Sequence, residues 1–256
     1  MWLVLAAMVL NILAQGIHEG GHWAVYQITG HRPVWAFTSI VQVWDTPPRQ
    51  LEGWVATTAP DGEKGWLKLS SAPGKVVEAL DNAAGPLASL VSAMVGLFIY
   101  RFGRKPAMRL SGLVLTIITG LLMTFYYARS GTRIGDDEGF LAASLGISKL
   151  VLDIPLGLAF STCLLLGLRE LKTWKDGLRF LGAILLGMIP TAGLMVIFDP
   201  FIRAGVEAGN PLFQSVLGFS LPVFIVYGLA IAGLIMLGKK INNLENLKTD
   251  GQSPPA

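Results

Sequence analysis

Six long apolar runs leave this chain few ways to fold. A helix needs about 20 residues, at 1.5 Å each, to cross about 30 Å of hydrocarbon. By that measure the runs fall at Trp2 to Tyr26, Ala83 to Tyr100, Leu110 to Ala128, Phe140 to Leu168, Leu178 to Phe198 and Phe213 to Leu237. The fourth is long enough to be tilted or to begin as an interfacial helix, and Pro190 predicts a kink in the fifth. Composition agrees: 52 % of the residues are hydrophobic and 14 % are charged, against about 25 % charged in an average soluble domain. The expected fold is an all-α polytopic membrane protein with about six transmembrane helices. Met1 to Ala14 has no basic residue ahead of it, as a signal peptide has, and its apolar run continues to Tyr26. It therefore reads as a retained first span.

The short loops carry the orientation. Arg101, Arg104, Lys105 and Arg109 follow the second run, Arg169, Lys172, Lys175 and Arg179 follow the fourth, and Lys239 and Lys240 follow the sixth. With six spans these basic segments share one face, which the excess of Lys and Arg predicts to be cytoplasmic, together with both termini. The net charge of +3 is small and lies in short loops rather than in one stripe, which argues against a nucleic-acid surface. Cys163 is alone, so there is no internal disulfide.

One sizeable segment lies outside the membrane, roughly Thr29 to Asp81. Alternation from Val34 to Trp44 predicts a strand, Pro47-Pro48 a turn, and Gly53 to Thr58 a possible partner strand. Trp35, Trp44, Trp54 and Trp66 suggest that this small β element lies at the bilayer surface. Residues 242–256 are polar, end in Ser-Pro-Pro-Ala, and read as a disordered tail.

The chemistry sits in the first run, at His18-Glu19-Gly20-Gly21-His22. Histidines four apart share one face of a helix and can bind one metal ion. Glu19, about 100° round the helix, can act as general base on a water beside the metal without being a ligand. Two imidazoles and a carboxylate around zinc leave a fourth position for that water. The chain has three histidines, and two are in this motif. Ionisable groups inside a span are costly and mark function by default. Gly16, Gly20 and Gly21 let another backbone approach, either a substrate strand or a packed helix. His31, in a Gly-His-Arg-Pro turn, reads as a loop residue.

The HEGGH motif, the following Gly30-His31-Arg32-Pro33-Val34, and Ala84-Gly85-Pro86-Leu87-Ala88-Ser89-Leu90 resemble the site-2 protease family, the M50 class of membrane metallopeptidases. The resemblance covers roughly the first 160 residues. It implies an intramembrane zinc metalloprotease, with a later aspartate as third ligand, acting on membrane-embedded peptide segments. The chain departs from the family pattern at Ser89, where many members have asparagine, and in lacking the usual Leu-Asp-Gly motif. Asp137, in Gly135-Asp136-Asp137-Glu138, is similar to a Gly-Asp motif of divergent relatives and falls on the same side of the membrane as His18 and His22. Asp153, in Leu152-Asp153-Ile154-Pro155, is its rival, with Asp136 behind both. Asp136 or Asp137 can also serve as a helix cap.

The implied organisation is a protease-like core over 1–170, two additional helices over 171–241 and the tail over 242–256. The expected partners are the lipid bilayer and a membrane protein or peptide substrate, in the plasma membrane of a bacterium, with oligomeric state open. On this topology the site faces away from the cytoplasm, whereas the family more often places it nearer the cytosol. Other readings are a non-catalytic relative that binds partners, a metal-handling permease, and a zinc hydrolase of a lipid or small amide. Retention of Glu19 speaks against the first, and the scarcity of polar residues in the other spans speaks against the permease.

Overall fold

The structure is a computed structural model that describes residues 1–29, 33–42, 54–58, 64–68, 75–130, 135–171, 173–208, 210–213 and 215–250. Its helices are α1 (Trp2–Ile28), α2 (Lys75–Phe102), α3 (Pro106–Ser130), α4 (Asp137–Leu145), α5 (Leu150–Arg169), α6 (Trp174–Glu207) and α7 (Leu221–Asp250). All except α4 are long and apolar enough to cross a membrane, which makes this a multi-pass, all-α membrane protein.

α1 runs through the middle of the bundle and packs against α2, α3, α6 and α7, while α5 lies against α3. Ala7, Leu10 and Ala14 of α1 meet Leu113 and Ile117 of α3 and Ile184 and Met188 of α6. Asn11 is buried in this apolar packing. Its side-chain amide donates to Thr191 Oγ1 at 2.8 Å and to the Met188 carbonyl at 3.3 Å, beside Pro190. The outward faces of α2, α5, α6 and α7 expose Phe98, Leu158, Leu165, Ile189 and Leu229, as a lipid-facing surface does.

The basic helix ends meet at one end of the bundle. Arg101 pairs with Glu170 at 3.3 Å, Lys240 lies 5.2 Å from the centre of the Trp2 ring, and the Ala107 amide donates to Asn242 Oδ1 at 3.2 Å. The three basic segments therefore share a face, as the loop charges predict.

The apolar run from Phe140 to Leu168 is not one helix. α4 ends at Gly146, whose φ of 67° is the left-handed conformation that glycine adopts freely. α5 then restarts at Leu150.

Within the stretch expected to be one strand, the described residues 33–42 form a hairpin. β1 (Pro33–Trp35) pairs antiparallel with β2 (Ile40–Gln42), Val34 opposite Val41. The turn between them is tied down by Asp199 of α6. Its Oδ1 accepts from the Phe37 and Thr38 amides, both at 2.7 Å, and its Oδ2 from Ser39 Oγ at 2.8 Å. β3 (Trp54–Thr58) does not join this hairpin but pairs with β4 (Lys64–Lys68).

The β1–β2 sheet is extended from the far end of the chain by β5 (Ser215–Val216) and β6 (Phe219–Ser220), in the order β2-β1-β6-β5. The sixth apolar run therefore starts its helix at Leu221, not at Phe213. Trp35 is buried within the protein rather than exposed on its surface. It is 6 % exposed and stacks on Phe219 at 4.7 Å between centroids, within a cluster that includes Trp23 and Tyr227.

α7 continues to Asp250, so most of the segment expected to be disordered is helical. Extending a formed helix adds one hydrogen bond per residue without a new nucleus. His31, Trp44, the Pro47-Pro48 turn and residues 251–256 lie outside the described residues.

Candidate metal centre

α1 turns His18 and His22 toward α2 and α4, one helical turn apart, with ring centroids 5.2 Å from each other. The first residue of α4 is Asp137, and it reaches both rings. Its Oδ2 lies 3.5 Å from His18 Nε2 and 3.3 Å from His22 Nε2. One donor atom from each residue lies within 4.8 Å of the others, so His18, His22 and Asp137 can hold a metal ion.

Burial pushes the Asp137 carboxyl up, but hydrogen bonds and charge from His18 and His22 outweigh it. The carboxyl is held well below the usual carboxylate range.

The other two aspartates are committed elsewhere. Asp136 caps α4, its Oδ1 accepting from the Gly139 amide at 3.0 Å, and its Oδ2 pairs with Lys149. Lys149 Nζ is also 3.9 Å from Asp153 Oδ2. Lys149 thus joins the two rival aspartates and fastens the start of α4 to the start of α5. Glu138 fixes α4 on its other side, accepting from the hydroxyls of Tyr126, at 3.1 Å, and Tyr127. Burial raises the Glu138 carboxyl, against the opposing effect of those bonds.

Glu19 is only 5 % exposed, and its Oε1 accepts from Gln15 Nε2 at 2.8 Å. It lines a cavity of about 470 Å³ together with His18, Asp137, Ser89, Tyr126 and Thr38. Ala14, Leu122, Met123 and Val196 give the same cavity apolar walls.

Sequence reasoning missed Asp81, and it noticed Ser89 only as a departure from a family pattern. Asp81 Oδ1 is 3.2 Å from His22 Nδ1, and Ser89 Oγ is 3.0 Å from His18 Nδ1. Between them in sequence is Gly85. A Cβ there would lie 2.2 Å from His22 Nε2 and 2.9 Å from His18 Cε1, so only glycine leaves the donor nitrogens room. Positions 81, 85 and 89 are successive i+4 neighbours on one face of α2, which is the signal that could have found them.

Of the α1 glycines, Gly21 meets the α2 backbone, where a Cβ would lie 2.4 Å from the Ala84 carbonyl oxygen. Gly16 and Gly20 lie under Tyr227 and Trp35. These glycines serve packing within the protein, one of the two roles expected of them. No family model, no curated protein and no solved structure matches this chain.

Proposed function

We propose that the protein is an intramembrane zinc metalloprotease, similar in kind to site-2 proteases, that hydrolyses peptide bonds of membrane-embedded substrates. The observation that carries this reading is the convergence of His18, His22 and Asp137 on one point beside Glu19, inside a bundle of apolar helices.

The donor set fits zinc: two imidazole nitrogens and one carboxylate oxygen, with room kept by Gly85. A bound zinc ion supplies Lewis acidity, acidifying a nearby water and polarising a peptide carbonyl. Glu19 takes the proton from that water and passes it to the departing amine, the work of a general base that then serves as acid. Gln15 holds the Glu19 carboxylate in the cavity wall. Ala14, Leu122, Met123 and Val196 offer an apolar surface to an unwound stretch of a transmembrane segment. On this reading the basic helix ends and both termini face the cytoplasm of a bacterium, in its plasma membrane, and the centre lies toward the other face.

The test is hydrolysis of labelled transmembrane peptides by the purified, zinc-loaded protein in detergent. Glu19→Gln should lower the rate roughly a thousandfold while leaving zinc content stoichiometric. Undiminished cleavage by that variant would overturn the role of Glu19. Hydrolysis of lipids or small amides, with peptides left intact, would favour the non-peptide hydrolase.

A further inference from the structure

On the reading of this centre as a metal site, we propose that Asp81 is a positioning residue for the metal: it fixes the nitrogen that His22 presents and strengthens that imidazole as a ligand. Asp81 Oδ1 lies 3.2 Å from His22 Nδ1, the ring nitrogen that faces away from the cluster. A carboxylate only accepts, so Nδ1 is the donor to Asp81, and Nε2 is the nitrogen left to give its lone pair to a metal ion that takes the place of its proton. That Nε2 is the atom 3.3 Å from Asp137 Oδ2.

Asp81 is itself held. Its Oδ2 accepts from the Tyr26 hydroxyl at 2.8 Å, one turn beyond His22 on α1. At 9 % exposure the pair is shielded from water, where a hydrogen bond to a carboxylate is stronger than in solvent.

The two imidazoles are not equivalent in this arrangement. His18 has the neutral hydroxyl of Ser89 behind it at 3.0 Å, which orients the ring without adding charge. His22 has a carboxylate behind it, the arrangement that raises a histidine's strength as a ligand. α2 therefore acts as a rail: Asp81 backs one ligand, Ser89 backs the other, and Gly85 keeps the space between them open. The competing view is that Asp81 only tethers α2 to α1 through Tyr26.

The experiment uses the full chain in detergent, stripped of metal by a chelator. Zn²⁺ is titrated against a chromophoric competitor, and Co²⁺ is followed by its d–d absorption. The proposal expects Asp81→Asn to weaken Zn²⁺ binding about ten- to hundredfold and to shift the Co²⁺ bands, with the Tm of the metal-free protein unchanged. Asp81→Glu should recover part of the affinity, and Ser89→Ala should cost less than Asp81→Asn. Tyr26→Phe, which breaks the tether but leaves the His22 bond, should cost least.

Asp81→Asn binding within about twofold of wild type would overturn the proposal and leave the metal site standing. So would equal losses in Asp81→Asn and Tyr26→Phe that track a lower metal-free Tm. A wild-type protein that takes up no stoichiometric metal overturns both the proposal and the function it rests on.

Discussion

The two faces of α1 around the HEGGH motif are held in opposite ways. His18 and His22 look toward α2 and α4, and each makes directional polar contacts: Ser89 and Asp81 behind the rings, Asp137 in front. Gly16 and Gly20 look the other way, into Tyr227 and Trp35, which pack with Trp23 and Phe219. On that face the indole nitrogens of Trp23 and Trp35 and the Tyr227 hydroxyl are buried with no hydrogen-bond partner among the described residues. Contact area and ring stacking hold it. One helix thus carries a polar face, where geometry sets chemistry, and an aromatic face, where packing sets stability. Substitutions on the first should remove metal while the protein stays folded. Substitutions on the second should unfold the protein while the folded fraction keeps its metal.

A matched pair of alanines tests this division most severely. In Gly85→Ala the new methyl falls 2.2 Å from His22 Nε2. We expect metal affinity to drop roughly a thousandfold, about 4 kcal/mol, because a ligand nitrogen must move. In Gly20→Ala the methyl meets the Trp35 ring at 3.0 Å, and we expect metal content to stay stoichiometric with a stability loss of about 1 kcal/mol. Metal analysis and thermal unfolding on both proteins decide it, and equal metal loss in the two would break the comparison. Next in size is Trp35→Ala, which empties the centre of the aromatic face and should cost about 3 kcal/mol, read as a lower unfolding midpoint with the folded protein's capacity to bind metal unchanged.

How much of this was legible from the sequence follows the same division. Apolar run length gives the spanning helices, and the four-residue histidine spacing gives half of the centre. Asp137 was reachable because the topology places it on the side of the membrane where the histidines lie. Asp81 was hidden because its contact with His22 spans 59 residues of chain, and because it sits in the polar entry to α2, which reads as loop. Both rivals, Asp136 and Asp153, looked available only because sequence does not reveal that Lys149 reaches them both.

The sheet was hidden for another reason. The turn between β1 and β2 contains Ala36, Phe37, Thr38 and Ser39, with no glycine, proline or asparagine to mark it, and a distant Asp199 supplies the acceptors instead. The turn between β5 and β6 places Leu217 at φ 55° and Gly218 at φ 88°. A leucine in the left-handed region is not a turn signal any pattern would pick.

Asp199 offers a test between the two faces, because Thr38 in its turn lines the cavity while Trp35 just before it belongs to the aromatic cluster. Asp199→Ala strips an acceptor from the Phe37 and Thr38 amides and should cost about 2 kcal/mol. Hydrogen exchange at those two amides should speed up, metal content should hold, and, on the proposed protease function, peptide turnover should fall. Unchanged exchange would mean that the turn is held by its own backbone, and the sheet would then be independent of α6.

The finest test separates two adjacent acids. Asp137→Ala removes the carboxylate of the proposed metal centre, and metal binding should be lost. Asp136→Ala removes only a cap and the pairing with Lys149, both of which act by holding α4 in place. A lost cap is worth about 1 kcal/mol, and if all of it is felt at the metal, affinity should fall about fivefold. Asp136→Asn keeps a good capping side chain and should fall between that variant and wild type. A competitive zinc titration resolves differences of this size. If Asp136→Ala loses metal as completely as Asp137→Ala, then α4 is not a preformed arm. The polar face of α1 would in that case need the Lys149 clamp as much as it needs the ligand.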